Sequence, residues 1–74
     1  MDYDYSKLNG RIVERYKTQI EFAKAVELSE RSLSLKLNNL VGWKQREIAR
    51  AARLLGLTSD EIGTYFFTLN DQSA

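Results

Sequence analysis

The stretch Thr18-Gln-Ile-Glu-Phe-Ala23-Lys-Ala-Val26-Glu-Leu28-Ser29-Glu-Arg-Ser-Leu33-Ser-Leu-Lys-Leu37-Asn38 decides the fold of this 74-residue chain. Thr18 with Glu21 three residues later forms a capping-box pattern, which starts a helix at Gln19. Phe22, Ala23 and Val26 supply its apolar face, and it runs to Val26. Ser29 caps a second helix over Glu30–Leu37. Its buried line is expected along Leu33, Leu37 and Leu40. Asn38-Asn39 then suits a stop, because Asn tolerates the left-handed conformation. Only Glu27, Leu28 and Ser29 separate the two helices.

So short a joint forces a steep crossing, the arrangement of a helix-turn-helix. Small Ala23 allows close approach at the crossing and Leu28 plugs the turn. With Leu33 and Leu37 inward, the helical period turns Arg31, Ser34, Leu35 and Asn38 outward, with Glu30 and Ser29 extending that face. Such a unit leads its second helix into the major groove of DNA. Base readout then falls to Glu30, Arg31, Ser34, Leu35 and Asn38: Arg31 can grip a guanine edge, Glu30 accept from cytosine, Asn38 pair with adenine, and Leu35 meet a thymine methyl. Phosphate contacts fall to Lys17, Thr18, Gln19, Ser29, Lys36, Asn39, Lys44 and Gln45, which position without reading sequence.

Working outward, three more helices complete an all-α chain. One spans about Lys7–Tyr16, capped by Ser6, with Leu8, Ile12 and Tyr16 in one stripe that Val13 widens. Another spans about Lys44–Leu55, with Ile48, Ala51, Ala52 and Leu55 on one face and Gly56 closing it. The last spans about Asp60–Phe66, capped by Ser59 or Thr58. The expectation is one compact five-helix domain, ordered over about 5–69 with frayed ends. Trp43 reads first as a packed anchor, since an aromatic this large usually finds a core.

Composition narrows the chemistry. There is no Cys and no His, which removes disulfides, thiolate metal sites and the commonest general base. No catalytic residue, metal or cofactor is expected, and the chain does not read as an enzyme. No stretch approaches the roughly 18 apolar residues of a membrane span, and the acidic, aromatic start is unlike a secretory signal. The net charge is only +1, but between Arg11 and Arg53 ten basic residues face five acidic ones. The middle of the chain is therefore basic and the ends acidic, which matters more than the sum.

The run from Gln19 to Asn38 resembles the Cro/repressor class of phage regulators. The wider stretch, from Tyr3-Asp-Tyr-Ser-Lys-Leu-Asn-Gly-Arg-Ile-Val13 to Trp43-Lys-Gln45, is similar to small Cro-like regulators from phages of Gram-positive bacteria. That resemblance implies a lambda-repressor-like domain that binds double-stranded operator DNA in the bacterial host's cytoplasm and controls the choice between lysis and lysogeny. Two residues depart from the pattern. Glu27 stands where the family favours Gly, so a side chain must adopt positive φ. Lys36 stands where an apolar residue is more usual; its stem can lie on the core edge with the ammonium free for phosphate.

A second reading uses the same scaffold as a protein–protein modulator, an antirepressor that binds the phage repressor rather than DNA. The low net charge, Leu35 on the reading face and Glu30 beside it favour it. Tyr65, Phe66, Phe67 and Leu69 have two readings: they close the core, or part of them forms a partner or homodimer surface, because adjacent aromatics on a short helix cannot all face one way.

Overall fold

The computed structural model describes residues 2–70, so the far end of the expected frayed tail, 71–74, lies outside the described residues. Five helices follow in order: α1 (Ser6–Tyr16), α2 (Gln19–Val26), α3 (Glu30–Leu37), α4 (Gln45–Leu55) and α5 (Ser59–Phe66). The all-α architecture expected from the helical periods is the one observed, and the described residues contain no strand beyond an isolated antiparallel bridge between Tyr3 and Leu69. Among the described residues, no helix is long and apolar enough to cross a membrane.

Caps set the boundaries. The Asp4 carboxylate accepts the Ser6 N–H at 2.9 Å and its hydroxyl at 2.6 Å, so α1 begins one residue earlier than expected. Thr18 accepts the Glu21 N–H at 3.2 Å and Ser29 accepts the Ser32 N–H at 3.0 Å, each tying down one of the orphan donors of a helix start. Thr58 and Glu61 form a reciprocal box at the head of α5, and Gly56 closes α4 at φ 69. Residues 2–4, expected to fray, are instead pinned: Asp4 N–H donates to the Thr68 carbonyl at 2.7 Å and Asn70 N–H to that of Asp2 at 2.9 Å.

The core gathers the stripes of all five helices: Leu8, Ile12, Phe22, Ala23, Val26, Leu33, Ala51, Leu55 and Phe66. Each large side chain there contributes on the order of 2 kcal/mol by leaving water. Three apolar expectations are corrected. Val13 is 52% exposed and does not widen the α1 stripe. Leu37 is only half-buried. Leu40 is 71% exposed because α3 stops at Leu37, and Asn39, at φ 63, swings the following chain off the helical path. The residue that completes the buried line of α3 is Lys36.

Candidate functional site

The α2–α3 joint is built as its sequence requires. Glu27 sits at φ 63, ψ 39, the left-handed conformation that Gly adopts most readily. The Glu27 N–H reaches the Lys24 carbonyl at 3.3 Å and the Leu28 N–H the Ala23 carbonyl at 3.0 Å, which satisfies the end of α2. Arg50 reinforces that end from α4 by donating to the Val26 carbonyl at 2.9 Å. Ala23 is buried at the crossing and Leu28 half-buried in the turn.

Glu30, Arg31, Ser34 and Asn38 share the solvent face of α3, and Ser29, Thr18, Lys17, Lys44 and Gln45 are also exposed, while Leu35 is half-buried rather than exposed. The Asn38 amide folds back onto the Ser34 carbonyl at 2.8 Å. Gln19 donates to Asn9 at 3.0 Å. Two side chains expected to meet phosphates are instead engaged within the molecule. Asn39 clamps the N-terminal segment: its oxygen accepts the Tyr3 N–H and its nitrogen donates to the Tyr3 carbonyl, both at 2.9 Å. Lys36 is 4% exposed, its ammonium 3.0 Å from Glu47 and donating to the Gly42 carbonyl at 3.1 Å. The ammonium is thus committed inside the molecule. Burial alone would push the Glu47 pKa up; the Lys44 N–H at 2.8 Å and the Lys36 ammonium outweigh it and hold the carboxyl below its usual range.

Removing Lys36 from the surface changes the electrostatics of the unit. From Lys17 to Asn39 the exposed cations are Lys17, Lys24 and Arg31, and the exposed carboxylates are Glu21, Glu27 and Glu30. Three against three leaves that surface neutral, and Lys24 is drawn to Glu21 at 3.5 Å. The basic excess read from the middle of the chain lies elsewhere, much of it on α4.

A second surface forms where the two ends of the chain meet the α3–α4 loop. Phe66, read as either core or partner surface, is 1% exposed and packs edge-on against Trp43 at 5.1 Å. Tyr65 is half-buried and held by Arg11, whose guanidinium lies 5.4 Å over the ring and donates to the hydroxyl at 3.1 Å. Only Phe67 at 50% and Leu69 at 51% remain as apolar surface from that group. Leu40 at 71% and Val41 at 44% join them, which the sequence reading missed. The Tyr3 ring stands edge-on to Phe67 at 5.9 Å, and a groove of about 340 Å³ opens between Tyr3, Tyr5, Leu40, Val41, Trp43 and Phe67. The signal that could have found it is two large apolar residues placed directly after a helix stop, where no helical period assigns them a buried face.

The model of DUF739, described as a protein family of unknown function, matches residues 1–69. The chain belongs to that family. A solved structure is also similar, the solution structure of the modulator of repression (MOR) of the temperate bacteriophage TP901-1 from Lactococcus lactis. It is 52% identical, with 90% of each chain covered and a TM-score of 0.79. No curated protein matches the chain. Membership in DUF739 leaves the finer Cro-like assignment without a family match of its own.

Proposed function

We propose that this DUF739 protein is a phage regulator that modulates repression by protein–protein contact, engaging the repressor encoded with it rather than reading operator DNA through α3. The observation that carries the reading is the apolar patch of Leu40, Val41, Phe67 and Leu69 around Tyr3, with a groove at its centre. Contiguous apolar surface rimmed by polar residues marks an interaction site on a small soluble protein. The similarity to a modulator of repression supports the same reading.

The α3 face argues in the same direction. Phosphate neutralisation supplies most of the affinity of DNA binders. A neutral α2–α3 surface with Glu30 at the head of α3 supplies little of it. A gel shift decides between the readings. With the cognate repressor bound to its operator, added protein should dissolve the shifted band, and the protein alone should not retard that DNA. A specific shift by the protein alone, lost on scrambled sequence, together with no capture of the repressor, would reverse the assignment.

A further inference from the structure

Helix α4 carries a surface that the modulator reading leaves unused. Arg46, Ala49, Arg50 and Arg53 stand at i, i+3, i+4 and i+7, so they share one face of the helix. The opposite side holds the buried Ala51, Ala52 and Leu55, and Glu47, the only carboxylate of the helix, is turned inward onto Lys36. The outward face therefore presents guanidinium groups with no acid among them. At its N-terminal half, a concavity of about 790 Å³ lies between this face and the α2–α3 turn, with Lys44, Arg46, Arg50 and the Lys36-paired Glu47 on one wall and Leu28 and Glu27 on the other. Arg50 is already oriented by its bond to the Val26 carbonyl at 2.9 Å.

We infer that this concavity binds an acidic segment of a protein partner, with carboxylates paired to Arg46 and Arg50 and a small apolar side chain against Leu28 and Ala49. Charge complementarity selects the sign: guanidinium forks pair carboxylates with two parallel bonds, and Arg is enriched in protein interfaces. The shape and the Glu27 carboxylate select a polypeptide over a nucleic acid. A duplex carries a negative charge about every 1.7 Å of its axis, and Glu27 would meet that unbroken charge with repulsion. Glu47 in the lining is already neutralised by Lys36, and carboxylates spaced along a peptide can avoid Glu27 and meet the cations. The inference goes beyond the modulator reading, and its site shares no lining residue with the groove around Tyr3.

The test is a titration of the ¹⁵N-labelled full chain with three probes: a 12-residue peptide alternating Glu with Leu and Ser, its Gln-for-Glu counterpart, and a 12-base-pair duplex. The Glu peptide should move the amides of residues 27–28 and 44–50. Its affinity should drop about tenfold in Lys44→Gln/Arg46→Gln, which alters two exposed side chains and leaves Arg50 in place. Glu27→Gln should strengthen the duplex more than the peptide. Unchanged amides, equal binding of the Gln peptide, or tighter binding of the duplex at these residues would each overturn the inference. The last result would assign the surface to a nucleic-acid backbone. Capture of the repressor, measured on the same variants, should be unaffected, so this surface and the apolar patch are judged separately.

Discussion

The outward face of α3 and the patch around Tyr3 both meet solvent, yet they are made in different ways. One comes from a single helix and consists of polar side chains, Glu30, Arg31, Ser34 and Asn38, set by the helical period. The other is assembled from three separate segments, residues 2–5, 39–43 and 66–69, brought together by the Asn39 clamp on Tyr3 and by the pairing of 2–4 with 68–70. The first is electrically neutral and turns its Asn38 amide onto its own backbone. The second leaves large apolar side chains 44–71% exposed. For a chain that resembles a DNA reader in sequence, the comparison teaches that the helix after the tight turn can keep its phase and stay polar and neutral while the exposed apolar surface gathers elsewhere.

The strongest way to break this comparison is to charge one surface at a time. Leu40→Glu/Phe67→Glu should weaken repressor capture about 1000-fold, about 4 kcal/mol, since two buried anchors of an interface commonly account for that much. Arg31→Glu should leave capture within about threefold, the range of a rim charge. Isothermal titration on the three proteins measures both. All three substituted side chains are exposed, so thermal unfolding should change little. Equal loss from both variants would mean that the α3 face is part of the same interface.

The neutrality of α3 depends on Lys36 staying inside. Lys36→Met leaves Glu47 buried beside an apolar neighbour and should cost about 3 kcal/mol in chemical denaturation. Adding Glu47→Gln removes the orphaned charge while keeping an acceptor for the Lys44 N–H, and should recover most of that loss. If Lys36→Met alone were neutral, the ion pair would not be what holds α3 against the head of α4.

Acid should act on the same ion pair and on the caps of α1 and α5. Glu47, Asp4 and Glu61 all have pKa values lowered in the folded chain: Glu47 against burial, by the Lys44 N–H and then Lys36, Asp4 chiefly by the Ser6 hydroxyl, Glu61 chiefly by the Thr58 N–H. A carboxyl with a depressed folded pKa binds more protons when unfolded. Its stabilisation is complete above the unfolded pKa of about 4 and disappears as pH falls through the lower folded value. Unfolding midpoints in urea should therefore be flat from about pH 7 to 5 and fall below about pH 4. Lys36→Met/Glu47→Gln should show a shallower fall, because one of the three groups no longer titrates.

Much of this was legible in the sequence, and the failures have specific causes. Five helices, the caps at Thr18 and Ser29 and the Gly56 stop follow from local rules acting over a few residues, whereas the left-handed Glu27 was implied by the resemblance alone and the head of α5 was left between Ser59 and Thr58. Lys36 was misplaced because its partner Glu47 is eleven residues away and invisible to helical phase. Asn39 was recognised as a stop but not as a clamp, since its partner lies at the chain's other end. Leu40 was given to the α3 stripe although the helix had already ended. The Tyr65–Leu69 group divided between core and surface, as the alternation of directions on a short helix requires, but only packing shows that Phe66 is the inward member.

The smallest effect sharpens the comparison at its hinge. The α3 face relies on the α2–α3 turn holding its path, and Glu27 holds it at φ 63 with a side chain that Gly would not carry. A left-handed non-Gly residue costs roughly 1 kcal/mol. Glu27→Gly relieves that strain but enlarges the conformational freedom of the unfolded chain, which takes back about 0.4–1 kcal/mol. The balance should be a gain of no more than about 0.5 kcal/mol, a rise of about 2–4 °C in Tm for a domain of this size. Glu27→Ala keeps the strain and removes only the carboxylate, so it should show no such rise. A Tm increase in Glu27→Ala equal to that in Glu27→Gly would trace the effect to charge among Glu27, Glu30 and their neighbours. The turn would then be unstrained, and the Gly favoured here in the Cro/repressor pattern that the sequence resembles would need another cause.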